Sequence, residues 1–156
     1  MRILVCGGRD FGNYKKYPQL STEWKRKKSE SAFIWRELTR YTQHLSESLI
    51  IISGCATGAD ENAQAWAKAS GHGRMLFRAE WDKYGNAAGP IRNKQMMVNG
   101  KPEIVIAFPG GKGTKNMLSI ARKNKLQIIR LIWTGKPIPG IHEKREDDDG
   151  QSVSAK

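Results

Sequence analysis

The residues best suited to chemistry stand in short clusters, each beginning where an apolar run stops. The clearest is Pro109-Gly110-Gly111-Lys112-Gly113-Thr114, directly after the run Ile104 to Phe108. Its glycines can take positive φ and let a ligand approach the backbone closely. Gly113-Thr114 opens a helical pattern through Met117, Leu118, Ile120 and Ala121. A glycine turn between a strand and a helix brings unsatisfied N–H groups and the positive end of the helix dipole together. That combination suits an anion, most often phosphate. The spacing does not match a Walker loop, Gly-x-x-x-x-Gly-Lys-Ser/Thr. Taken alone, the cluster also reads as a tight turn with no ligand.

Three further clusters repeat the pattern. Gly7-Gly8-Arg9-Asp10 follows the run Arg2 to Cys6 and resembles the first turn of a dinucleotide-binding unit. The full Gly-x-Gly-x-x-Gly fingerprint is absent, and Arg9 with Asp10 can equally be a capping pair. Ser53-Gly54-Cys55-Ala56-Thr57-Gly58-Ala59-Asp60 follows Leu49 to Ile52. Ser53 and Thr57 can donate to an anion, with the N–H groups of Gly54 to Gly58 adding phosphate contacts. Asp60 can hold a ribose hydroxyl, or serve only as a first-turn acid that complements the dipole. Trp81 can stack on a base, cover a pocket or be satellite core. Pro90 suits the first turn of a helix, which sets Arg92 and Asn93 near its start. A cation there opposes the macrodipole, a conflict that an anionic ligand removes. The alternative for Arg92 is an ion pair with Asp60 or Asp82.

These clusters need a scaffold that brings them together. Strand-like runs at 2–6, 49–52, 75–77, 104–108 and 126–133 alternate with helical patterns. That order predicts one α/β domain: a Rossmann-like parallel sheet of about five strands with helices on both faces. Ligands of such folds bind at the C-terminal edge of the strands, near the point where strand order reverses. All four clusters fall on that edge. The stretch 13–30 carries Lys15, Lys16, Lys25, Arg26, Lys27 and Lys28 among Tyr14, Tyr17 and Trp24, with little hydrophobic period. It reads as a solvated basic insertion, dispensable for a small ligand; its alternative is a single-strand nucleic-acid surface. Phe33, Ile34, Leu38, Tyr41 and Leu45 then mark an amphipathic helix. Residues 1–140 form the expected domain, and 141–156 an acidic, disordered tail.

The chain has 156 residues and a net charge of +12; 38% of its residues are hydrophobic. The segment before the tail holds 24 bases against 10 acids, or +14. This favours anionic partners: phosphorylated small molecules, nucleic acid or an acidic protein. No apolar run reaches the roughly 20 residues of a membrane span, and the start lacks a signal-peptide pattern. Cys6 and Cys55 read as reduced thiols of a cytoplasmic protein. Three scattered histidines make no zinc spacing, so neither a metal nor a required cofactor is expected.

The segments Met-Arg-Ile-Leu-Val-Cys-Gly-Gly-Arg-Asp-Phe, Ser-Gly-Cys-Ala-Thr-Gly-Ala-Asp, Glu-Trp-Asp-Lys-Tyr-Gly, Ala-Gly-Pro-Ile-Arg-Asn-Lys-Gln-Met and Ala-Phe-Pro-Gly-Gly-Lys-Gly-Thr resemble the YspA/YpsA-related branch of the SLOG superfamily. That superfamily takes in the Lonely Guy phosphoribohydrolases and the DNA-processing protein A family. The resemblance runs from Met1 to about Trp133. It implies a Rossmann-like fold that binds nucleotides or nucleotide-derived signals, and a homo-oligomer paired through helices. Relatives occur in bacteria and on phages, and SLOG domains sense nucleotide signals in antiphage defence. The Lonely Guy enzymes carry Pro-Gly-Gly-x-Gly-Thr-x-x-Glu, whose Glu serves N-glycosidic hydrolysis; Met117 stands there in this chain. Met can neither accept a proton nor stabilise an oxocarbenium ion. The first expectation is therefore a binder, acting as sensor or sponge. Its contacts would come from Gly7, Gly8, Arg9, Asp10, Ser53, Gly54, Thr57, Gly58, Asp60, Trp81, Arg92, Asn93, Pro109, Gly110, Gly111, Gly113 and Thr114. The second is a nucleotide N-glycosidase with a rearranged acid, drawn from Asp10, Asp60, Glu80 or Asp82. The third is a single-stranded nucleic-acid binder.

Overall fold

The computed structural model describes residues 1–135, 143–146 and 152–155. Five strands form a parallel sheet: β1 (Arg2–Cys6), β2 (Ile50–Ser53), β3 (Gly73–Leu76), β4 (Ile104–Ala107) and β5 (Gln127–Leu131). Their spatial order is β3-β2-β1-β4-β5. The helices between them are α1 (Thr22–Thr42), α2 (Ala59–Ala69), the single turn α3 (Trp81–Tyr84), α4 (Ala88–Val98) and α5 (Lys112–Lys123). This is the Rossmann-like α/β architecture expected from the alternation of elements. Two short strands, β6 (Glu143–Glu146) and β7 (Ser152–Ala155), extend the β5 edge in antiparallel pairing. They lie in the stretch whose composition suggests a disordered tail; 136–142, 147–151 and 156 lie outside the described residues. No helix among the described residues is long and apolar enough to cross a membrane.

The sheet has two buried faces because its strands are apolar at successive positions. Ile3, Val5, Ile51, Ile106 and Ile129 point one way, toward Phe33, Ile34 and Leu38 of α1 and Ala59, Ala63 and Trp66 of α2. Leu4, Cys6, Ile52, Val105, Ala107 and Ile128 point the other way, toward Met96 and Met97 of α4 and Met117, Leu118 and Ala121 of α5. The helices change face between β1 and β4, which are neighbours in register from Ile3 opposite Ile104 to Cys6 opposite Ala107. Chains leaving these two strands diverge to opposite faces, and a crevice opens between them.

Helix α1 begins much earlier than its Phe33–Leu45 pattern suggests. Ser21 caps it, accepting from the Trp24 N–H at 3.2 Å. The basic stretch is thus in large part helix rather than solvated loop. Its buried face continues backward from Ile34 through Ser31 and Glu30 to Lys27, the steps of a helical stripe. Those positions are polar, so a hydrophobic period misses them. Asn62 of α2 holds the two helices together: it accepts from the Ser31 hydroxyl at 2.5 Å and donates to the Gly12 and Gly58 carbonyls at 3.1 and 2.9 Å.

The turn into α2 passes under the loop after β1. Gly58 has φ +72°, and a Cβ there would stand 2.4 Å from the Arg9 carbonyl oxygen. Gly71, after the same helix, has φ +75° but open space around it. Gly58→Ala should therefore lower stability by roughly 2–4 kcal/mol, from strained φ plus a backbone collision. Gly71→Ala should lose only about 1 kcal/mol, since it suffers the φ penalty alone. Urea unfolding of the two variants checks the difference; equal losses would refute the close approach.

Candidate functional site

A cavity of about 860 Å³ occupies the crevice between β1 and β4, within the range of small-molecule sites. The loops after these strands meet at its centre. The Gly8 N–H donates to the Pro109 carbonyl at 2.8 Å. A Cβ at Gly110 would lie 2.7 Å from the Gly8 nitrogen and 2.1 Å from the Thr114 hydroxyl, so these glycines serve loop-to-loop contact. Gly111 takes φ −100°, with open space where a Cβ would stand. The positive φ expected for the Pro-Gly-Gly turn is therefore absent at Gly111.

Helix α5 opens onto the cavity. No side chain among the described residues caps it, so the N–H groups of Lys112, Gly113 and Thr114 lack intrahelical partners. No acid stands in its first turn. Lys112, exposed at the first helical position, adds a cation where the dipole disfavours one. The floor is apolar: Cys6, Met96 and Met117 line it, each buried. Burial, chiefly, with help from the Asp60 charge, pushes the Cys6 thiol far above its ordinary range, so it behaves as a small apolar side chain. Cys6 and Cys55 are both free thiols.

Of the residues singled out from the sequence, Gly7, Gly8, Arg9, Asp10, Gly54, Asp60, Trp81, Arg92, Asn93, Pro109, Gly110, Gly111, Gly113 and Thr114 line this cavity. Ser53, Thr57 and Gly58 do not. Ser53 is fully buried, and its hydroxyl accepts from the Cys55 N–H at 3.3 Å and from Gln64 at 2.9 Å. The Thr57 hydroxyl donates to the Arg9 carbonyl at 2.9 Å. Gly58 lies beneath the same strand-exit loop.

Several N–H groups of the loop after β2 are engaged within the fold. The Ala56 N–H goes to the Asp60 carboxylate at 3.1 Å. The Ala59 N–H goes to the Gly8 carbonyl at 3.2 Å. Asp60 thus gives one carboxylate oxygen to its own loop while lining the cavity. Burial is the main cause that pushes its pKa up to about 6, against the lowering effect of backbone N–H groups and of Arg92 and Arg9.

Arg92 is buried, not a free cation at a helix start. Its guanidinium donates to the Gly54 backbone carbonyl and, at 3.0 Å, to the side-chain amide oxygen of Asn93. Neither Asp60 nor Asp82 forms a salt bridge with it among the described residues. Desolvation holds its pKa below the ordinary arginine value, although the Asp60 charge opposes that. Two of its five N–H donors are engaged by these bonds, which leaves others for the cavity. Asn93 is a strut: its amide donates to the Gly113 carbonyl at 3.2 Å and to Asn116 at 2.9 Å, tying α4 to the start of α5. Trp81 is 43% exposed at the rim, with the Arg9 guanidinium 4.8 Å from its ring centre.

Sequence reasoning missed Lys27, Asn86, Lys112 and Asn116, which also line the cavity. Lys27 sits in the basic stretch read as solvated. It is buried and pairs with Asp10 at 2.8 Å and Glu30 at 3.0 Å. Burial works against its charge, yet the two carboxylates outweigh that and raise its pKa. Asp10 is correspondingly held below its ordinary value, first by the bond from Lys27. The backward helical stripe of α1 was the available signal. No group of His, Cys, Asp and Glu among the described residues could hold a metal ion.

Two predictions follow from these pairings. Lys27→Ser strands a buried Glu30 and should lower stability by roughly 3 kcal/mol. Lys25→Ser, Arg26→Ser and Lys28→Ser, on the exposed side of α1, should each stay within about 1 kcal/mol. Thermal denaturation of the four variants separates the residues. For Asp60 the folded pKa lies above the ordinary value of 3.8. The folded protein therefore binds this proton first as pH falls. The group adds stability below about pH 4, and that contribution is lost as pH rises to about 6, by about 3 kcal/mol in all. Asp60→Asn should flatten this slope in urea titrations between about pH 4 and 7; an unchanged slope would assign it elsewhere.

A family model described as YAcAr, the YspA, cpYpsA-related SLOG family, matches residues 1–84. The chain is 30% identical over 137 residues to the Gene 61 protein of Mycobacterium phage D29, an alignment covering 83% of this chain and 95% of the relative. No solved structure matches it.

Proposed function

Because the chain belongs to the YspA, cpYpsA-related SLOG family, whose members point to a nucleotide-related function, we propose that it binds a nucleotide or nucleotide-derived signal in the cavity between β1 and β4. The observation that carries this reading is the uncapped α5 N-terminus opening onto that cavity. Three backbone N–H groups, the helix dipole and Lys112 converge where a phosphate would lie. Arg92 and Arg9 extend the positive lining toward Trp81, whose ring offers a stacking surface for a base.

Binding without hydrolysis is the better-supported chemistry. Met117 occupies the floor where a Lonely Guy enzyme carries its Glu. The two carboxylates that line the cavity, Asp10 and Asp60, are engaged by Lys27 and by the loop after β2. Glu80 and Asp82 lie outside the lining. A protein of this kind would hold its ligand intact in the cytoplasm, as a sensor or as a sponge. The phage origin of a relative fits sequestration of a defence signal.

Mass spectrometry of small molecules released from the purified protein is the direct test, followed by thermal shift with mono-, di- and cyclic nucleotides. A true ligand at about a hundred times its dissociation constant adds about 2.7 kcal/mol. Lys112→Ala should weaken that ligand about tenfold while the ligand-free protein keeps or slightly gains stability. Failure of every nucleotide to raise the melting temperature would refute binding. Release of free base from a nucleoside monophosphate would instead make the protein a hydrolase.

A further inference from the structure

Beside the main cavity lies a smaller recess of about 320 Å³. Arg9, Arg78 and Arg92 line it together with Cys55, Thr57 and Trp81. No carboxylate among the described residues lines it. Arg78 is exposed on the segment after β3, which the Phe77 N–H anchors to the Ser53 carbonyl at 2.9 Å. Arg9, Trp81 and Arg92 are shared with the main cavity, so one wall serves both spaces. Gly54 makes the arrangement fit: a Cβ there would lie 2.8 Å from the Arg92 guanidinium carbon.

Three arginines share this recess with no carboxylate in its lining, a concentration of positive charge that an entering anion would neutralise. The Asp60 charge works to raise the Arg92 pKa, and the Arg9 charge works in part against it. Arginine forks match phosphate oxygens in geometry as well as charge. The recess is separate from the α5 N-terminus, since neither Lys112, Gly113 nor Thr114 lines it.

We infer that the site takes a ligand with two separated phosphate groups, one at the α5 N-terminus and one in the Arg9–Arg78–Arg92 recess. The chemical class is a nucleoside phosphorylated at both ends, or two nucleotides joined, rather than a mononucleotide. This rests on the nucleotide-binding reading above. It adds Arg78 to the site, a residue outside the main cavity.

Calorimetry at low salt tests it with adenosine and guanosine 5′-monophosphates, the corresponding 3′,5′-bisphosphates, and the linear dinucleotides pApA and pGpG. At least one doubly phosphorylated probe should bind about tenfold or more tighter than its monophosphate. Arg78→Ala should erase that advantage and leave monophosphate affinity unchanged. The bisphosphates and dinucleotides distinguish the two sources of the second phosphate. Equal affinity for mono- and doubly phosphorylated probes, or an Arg78→Ala variant that keeps the advantage, would overturn the two-phosphate site while leaving nucleotide binding intact. Absence of binding by all six probes would overturn both. Affinity that keeps climbing in longer oligonucleotides, with steep salt dependence, would assign the arginines to nucleic acid instead.

Discussion

The site depends on one backbone contact, the Gly8 N–H bonded to the Pro109 carbonyl. It joins the exits of β1 and β4 where their following helices part to opposite faces of the sheet. A Cβ at Gly8 would stand 3.0 Å from the Pro109 carbonyl oxygen and one at Gly110 2.7 Å from the Gly8 nitrogen, so side chains there would push these loops apart; a Cβ at Gly7 would stand 2.5 Å from Ala59 Cβ of α2. With the loops held together, α2 can pack its small first-turn residues under the β1 exit. The same junction aims α5 at the crevice.

The second constraint is how the buried polar groups are shared out. A buried donor or acceptor without a partner is costly, and the scaffold claims many of the groups that face the crevice. Asp60 takes the Ala56 N–H of the loop after β2, Asn93 bridges α4 to α5, and Lys27 sits between Asp10 and Glu30. The start of α5 is different. Among the described residues no side chain caps its N–H groups, and its first turn carries Lys112 and no acid. The crevice thus combines a largely engaged polar frame with N–H groups at α5 that the scaffold does not cap.

That division bears on chemistry as well as binding. An acid–base catalyst needs a carboxylate free to change its proton while touching substrate. Asp10 is held ionised by Lys27, while Asp60 gives one carboxylate oxygen to its own loop and is pushed by burial up to about 6. The thioether of Met117 contributes shape and dispersion at the floor, but no proton. In the proposed reading the cavity holds a charged molecule rather than cleaving one.

The sequence by itself determined the sheet, its parallel sense and the edge where polar clusters gather, because strand and helix periods are local properties of the chain. Gly7 to Asp10 and Pro109 to Thr114 were legible as glycine turns at that edge for the same reason. It did not show which groups the fold itself engages. Ser53, Thr57 and Gly58 have donor chemistry and glycine freedom, yet the fold uses them to bind one chain segment to another. Arg92 looked like an uncompensated cation because its partner, the Gly54 carbonyl, is 38 residues away in sequence. Lys27 was hidden because its buried stripe on α1 is polar, and hydrophobic period cannot reveal a polar face. Which groups are consumed by the scaffold and which remain for a ligand was decided only by tertiary structure, since hydrogen-bond satisfaction depends on neighbours brought together from distant parts of the chain.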